Sequence, residues 1–142
     1  MRLERTIPAD KPVDRVFDYL SDFTTTTEWD PGTVRTVRVS GDGGVGTTYR
    51  NTSKFAGRET ELTYTVLELV PGEKIVLKGE NKSVTAHDTM TFTPTKGGTE
   101  VRYMAEFDFR IANPVVGLLM RPFLKKLGDD AEHGMREALA RL

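Results

Sequence analysis

From Thr99 to Ile111 apolar and polar residues alternate: Val101, Tyr103, Ala105, Phe107, Phe109 and Ile111 fall on one face, Arg102, Glu106, Asp108 and Arg110 on the other. Met104 is an apolar exception on the polar face. A period of two is that of a strand with one face buried and one wet. Five less regular runs, Val34 to Val39, Thr47 to Lys54, Glu59 to Val70, Lys74 to Gly79 and Val84 to Thr93, carry the β-branched and aromatic residues of strands. Turn-forming residues separate them at Pro31-Gly32, Gly41 to Gly46, Pro71-Gly72 and Gly97-Gly98. Such closely spaced strands predict an antiparallel meander.

At both ends of the chain the period changes to that of a helix. Val13, Val16, Phe17 and Leu20 make one apolar stripe in a short helix ending near Asp22, with Asp10 as its expected cap and Pro12 in its first turn. Asn113-Pro114 opens a long amphipathic helix whose stripe is Val116, Met120, Phe123, Leu124, Leu127, Ala131, Met135, Ala138 and Leu142. Pro122 removes a backbone donor inside it, which predicts a kink or a break. Gly128 and Gly134 allow close approach to the sheet. The order is strand, short helical pair, about six strands, long helix, an α+β arrangement. A sheet with one apolar face must be covered, and only the C-terminal helix is long enough to cover it.

Composition narrows the function classes. The 142 residues, 37% hydrophobic and 29% charged, suit one domain spanning residues 1–142 with a core that needs no staples. With no cysteine, disulfide scaffolds and thiolate metal sites are excluded. The 20 Lys and Arg against 21 Asp and Glu form no long block of either sign, so a nucleic-acid partner is not expected. No apolar stretch approaches the ~20 residues of a membrane span. Met1 to Arg5 mixes charged with apolar residues and lacks a signal peptide's apolar segment, so a cytoplasmic location is expected.

Several segments together resemble the polyketide cyclase/dehydrase group of the START/Bet v 1-like (SRPBCC) superfamily. They are Ile7-Pro8-Ala9-Asp10-Lys11-Pro12-Val13 through Val16 to Asp22, then Trp29, Val45-Gly46-Thr47, Glu68 to Gly72, Phe92-Thr93-Pro94 and Gly97 to Val101. The resemblance spans essentially the whole chain, and its motifs specify turns and packing. It implies a helix-grip fold, in which a curved antiparallel sheet of about seven strands wraps a long C-terminal helix, with two short helices after the first strand. A cavity between sheet and helix is implied with it, as is a homodimer.

Motifs that carry chemistry are few. Gly41-Asp42-Gly43-Gly44-Val45-Gly46 matches a dinucleotide fingerprint, but it joins two strands and no helix opens after it, so it reads as a hairpin turn. His87 and Asp88 are neighbours on a strand and point to opposite faces, Asp88 inward with Met90 and Phe92. His133 lies between Asp129 and Glu137 on a polar helix face. Two histidines so placed make no metal site, and no cofactor is expected. No G-x-S-x-G elbow is present, so nucleophilic acyl transfer lacks support.

The remaining candidates face the expected cavity. Trp29, Tyr49, Tyr64, Met90, Phe92, Tyr103, Phe107, Met120 and Phe123 make an apolar lining, and Asn51 and Ser53 share its face with Asp88. Arg50, by alternation from Tyr49, points outward. A buried Asp88 needs a partner or shifts its protonation. These residues suit a binder of a small hydrophobic molecule: a lipid, an isoprenoid or a polyketide-like compound. They suit equally a metal-free cyclase, aromatase or dehydratase in which Asp88, Tyr49, Tyr64 and Tyr103 move protons within a shaping pocket. An interaction protein without a small ligand would need a contiguous exposed apolar patch instead.

Overall fold

The computed structural model describes residues 1–55, 57–110 and 114–142. The expected Asn113 cap and the Ile111 end of the last strand lie outside the described residues. Strand β1 (Arg2–Ala9) leads into helix α1 (Val13–Ser21), a 3-10 turn (Phe23–Thr25) and the one-turn helix α2 (Thr26–Trp29). Six strands follow: β2 (Thr33–Ser40), β3 (Thr48–Phe55), β4 (Arg58–Val70), β5 (Lys74–Glu80), β6 (Val84–Thr95) and β7 (Gly98–Phe109). Helix α3 (Pro114–Ala140) completes the fold. All strands lie in one antiparallel sheet of order β1-β7-β6-β5-β4-β3-β2, so every ladder but β1–β7 joins neighbours in sequence.

The alternation in β7 fixes its orientation: Val101, Tyr103 and Ala105 are buried, whereas Arg102, Glu106, Asp108 and Arg110 are exposed. Its register with β6 sets Asp88 opposite Ala105 and Met90 opposite Tyr103, so all four share the inner face. The glycine-rich stretch from Gly41 to Gly46 is the turn between β2 and β3, with Gly41, Gly43 and Gly46 at positive φ.

Two helix expectations are corrected. Asp10 does not cap α1, because Pro12 stands at the N-cap with no side-chain cap bond, while Asp10 pairs with Lys11 at 3.4 Å. Nor does Pro122 break α3, which runs continuously from Pro114 to Ala140. Pro122 and Leu118, whose carbonyl loses its intrahelical partner, are both exposed, so water can take the place of the missing bond.

Two contacts seat α3. Gly134 lies so close to the Trp29 carbonyl of α2 that a Cβ would overlap the oxygen. A Cβ on Gly128 would come within 2.8 Å of the Arg5 guanidinium of β1. Gly128 thus approaches the sheet as expected, whereas Gly134 approaches α2 instead. Arg5 in turn bonds Asp129 at 2.9 Å and pairs with Glu132 at 3.3 Å.

Between sheet and α3 the inner face divides into two zones along the strands. At the α1 end the space is filled: Ile7, Val16, Leu20, Met90, Val101, Met135 and Leu139 are fully buried, and the rings of Phe17 and Phe92 meet edge-on at 5.1 Å. Toward the other end α1 no longer reaches, and a cavity remains.

Candidate functional site

The cavity has a volume of about 230 Å³. Strands β3, β4, β6 and β7 contribute inward-facing residues: Asn51 and Ser53 from β3, Leu62 and Tyr64 from β4, Val84 and Asp88 from β6, Tyr103 and Phe107 from β7. Helix α3 closes the opposite side with Met120, Leu124, Leu127 and Ala131, at the spacing of one helical face. Phe23, Trp29 and Asp30 form the inner end. Of the twelve candidates, Trp29, Asn51, Ser53, Tyr64, Asp88, Tyr103, Phe107 and Met120 line the cavity.

The other four do not. Tyr49 is buried one level away, its ring 5.8 Å from that of Phe23. Met90 and Phe92 belong to the filled core beneath α1. All three face inward as expected, but a period of two gives the face and not the level along the strand at which packing stops. Phe123 is 47% exposed. One residue ahead of Leu124, it is rotated off the inner stripe and meets Phe55 at a ring distance of 6.2 Å in an outer crevice.

Asn51 and Ser53 are already engaged. Ser53 Oγ donates to Asn51 Oδ1 at 2.7 Å, and Asn51 Nδ2 donates to Thr36 Oγ1 at 2.8 Å. Thr36 is 2.7 Å from Thr26 Oγ1, which donates to the Phe23 carbonyl. This chain of bonds ties β3 and β2 to α2. It leaves the deeper polar groups as the more available ones.

Those groups are Asp88, Tyr103 and Tyr64. Asp88 is 4% exposed, and its one hydrogen bond among the described residues comes from the Tyr103 hydroxyl at 3.3 Å. Burial raises its pKa from 3.8 to about 7; the Tyr103 bond opposes the rise and the nearby Asp30 carboxylate adds to it. Asp88 therefore exchanges its proton near neutral pH. Burial, followed by the charge of Asp88, pushes both the Tyr64 and Tyr103 hydroxyls well above the usual phenol range, so both stay neutral. The Tyr64 hydroxyl has no hydrogen-bond partner among the described residues, and neither has the buried Trp29 Nε1. Half-buried Asp30 is also raised by burial, although it accepts from the Gly32 amide and the Thr33 hydroxyl, each at 3.0 Å.

His87 is exposed on the outer face, and His133 pairs with Glu137 at 3.2 Å, so neither enters the cavity. Arg50 points outward to Glu61 at 3.5 Å. Sequence reasoning missed Phe23, just before the four threonines 24–27, and Asp30, just after Trp29, neither of which gives a periodic signal. It also missed Gly79. A Cβ there would lie 2.6 Å from the Tyr64 ring, so the absent side chain is what lets Tyr64 lie against β5. An isolated glycine at the end of a strand pattern is the signal that marks such an approach.

Comparison with known proteins agrees with this architecture. The Zhui aromatase/cyclase from Streptomyces sp. R1128 superposes with a TM-score of 0.81 at 15% identity, over 98% of this chain and 93% of that one. A protein from Thermus thermophilus gives 0.75 at 22% identity over 98% and 95%, and a START superfamily protein from Mycobacterium smegmatis gives 0.75 at 12% over 96% and 98%. At these identities the likeness is one of fold. Among curated proteins none matches the chain in sequence. No helix among the described residues is long and apolar enough to cross a membrane. The family described as polyketide cyclase / dehydrase and lipid transport matches residues 1–142, and the helix-grip chain with its hydrophobic-ligand cavity belongs to that family.

Proposed function

We propose that this protein binds one compact, mainly apolar molecule in the cavity between sheet and α3, held by Trp29, Tyr64, Tyr103, Phe107 and Met120. The observation that carries this reading is an aromatic-lined space that ends on under-bonded polar groups, Asp88 and the Tyr64 hydroxyl. At about 230 Å³ it falls below the roughly 300–1,000 Å³ of ordinary ligand pockets, which favours a small isoprenoid or a ring-sized polyketide-like compound over a long-chain lipid. Native mass spectrometry of freshly purified protein, followed by extraction, tests it. A retained small molecule that is lost in a Tyr64→Ala/Tyr103→Ala double variant is the expected result. Failure of the wild type to retain any apolar compound, added in excess or native, overturns the reading.

The protonation of Asp88 favours a second reading, an acid–base cyclase or dehydratase. A carboxyl that exchanges its proton near neutral pH beside two neutral phenols is suited to moving protons on a confined carbonyl compound. The aromatase/cyclase activity named for the Streptomyces structure lends it support. Asp88→Asn would then abolish turnover of a polyketide mimic while sparing its affinity, and unchanged turnover would remove Asp88 from the chemistry.

A further inference from the structure

The charges around the cavity are one-sided. Asp88 faces it from β6 and Asp30 from the turn after α2, whereas the one basic side chain among the described lining residues is Lys54, exposed on β3 at the rim. Tyr103 and Tyr64, the titratable groups facing Asp88 from β7 and β4, are neutral. From α3 the facing residues are Met120, Leu124, Leu127 and Ala131, none of them charged. Arg5, which lies under the helix, is not among the residues lining the cavity and is occupied by Asp129 and Glu132. Among the described residues Asp88 thus has no basic partner, and its single hydrogen bond is long.

The walls around this carboxyl are largely aromatic. Trp29 and Tyr103 meet edge-on with centroids 5.9 Å apart, and Phe23 and Tyr64 are tilted at 4.7 Å. An aromatic enclosure attracts a cation through its ring quadrupoles, the more so when water is excluded. Asp88 adds a carboxylate whose desolvation was already met in folding, so a bound cation gains the full ion pair at the cost of its own dehydration alone. A carboxylate ligand meets the reverse: two acidic groups, no cation at depth, and an uncompensated buried charge.

Resting on the reading that this cavity is a ligand site, we propose that it selects by charge, taking compact aromatic or alicyclic amines in their ammonium form, with the nitrogen at Asp88, and excluding carboxylates of the same shape. The unpartnered Tyr64 hydroxyl supplies a second acceptor for the ammonium hydrogens.

Three probes of one shape test this by calorimetry: naphthylmethylamine, naphthylmethanol and naphthoic acid. At about pH 8 the amine should bind roughly tenfold or more tightly than the alcohol, with the acid weakest. Toward about pH 5.5, as Asp88 gains its proton, the amine's advantage should shrink while the alcohol's affinity holds. Asp88→Asn should bring the amine down to the alcohol's level at both pH values. Binding of alcohol or acid as tight as that of the amine overturns the charge selection and leaves the pocket reading standing. Absence of binding by all three overturns both.

Discussion

Asp88 is a buried carboxyl whose cost to the fold depends on pH, and replacing it measures that cost. Its pKa rises from 3.8 in the unfolded chain to about 7 in the folded one. Below about pH 3 both states hold the proton and the group is neutral to stability. As pH climbs from there, the unfolded chain releases the proton while the folded protein keeps it, so stability falls until about pH 7 and then levels off. At ~1.4 kcal/mol per pH unit, the accumulated loss at pH 8 is roughly 4 kcal/mol. An asparagine in place of Asp88 would keep the Tyr103 bond through its carbonyl but set an amide in the cavity without a partner, a penalty of about 1 kcal/mol. Asp88→Asn should therefore be less stable than wild type by ~1 kcal/mol near pH 3 and more stable by ~3 kcal/mol at pH 8, the latter roughly ten degrees in Tm. Urea titrations followed by fluorescence of the buried Trp29, the only tryptophan, give the difference across this range. A variant-minus-wild-type difference that stays flat with pH would refute the assignment of a buried, protonated Asp88.

Further predictions concern the walls of the cavity. Gly79→Ala should displace the Tyr64 ring, costing about 1–3 kcal/mol in stability and weakening any cavity ligand, as seen by thermal melts with and without probe. Gly134→Ala sets a Cβ against the Trp29 carbonyl, which as backbone cannot swing away, and should destabilise the fold, whereas Gly117→Ala, whose Cβ would meet nothing within 4 Å, should stabilise α3 by up to ~1 kcal/mol. Phe123→Ser should change stability by only about 0.5 kcal/mol, because that ring is half outside the fold; a loss near the ~3–5 kcal/mol of a core aromatic would restore it to the lining. Amides of 114–121, where the exposed Val115, Leu118 and Leu119 cluster, should exchange hydrogen sooner than those of 124–139, where Leu124, Ala131, Met135 and Leu139 are anchored.

What was legible in the sequence follows from which signals are local. Alternation in β7 and the helical stripe of α3 are written into adjacent residues, and they locate the buried faces of both elements and the inward turn of Asp88. The level of the cavity is not local. Tyr49, Met90 and Phe92 carry the same alternation as Asn51, Asp88 and Tyr103, and only the reach of α1 across the sheet separates filler from lining. Phe123 and Leu124 differ by about 100° of helical rotation, finer than a stripe of apolar residues resolves. Pro122 reads as a kink or a break because the segment alone does not show the solvent exposure that supplies its missing bond. Gly79 carries its meaning in what it lacks, and that becomes readable only with Tyr64 set opposite it in the β4–β5 register.

The β1–β7 ladder has a consequence for how the chain comes to life. Every other ladder closes a hairpin between neighbours, so the sheet from β2 to β7 can zip progressively as it leaves the ribosome. Strand β1, made before them all, pairs with residues roughly a hundred positions later, and it must wait for them at a large loop-closure cost. Helix α3, which rests on β1 through Arg5 and Gly128, comes later still. The growing polypeptide therefore carries an uncovered apolar trough through most of its synthesis, and holds a ligand-ready pocket only once α3 is released. Truncation before α3 would remove the lid and the anchor of β1 together, leaving an aggregation-prone sheet rather than a weaker binder.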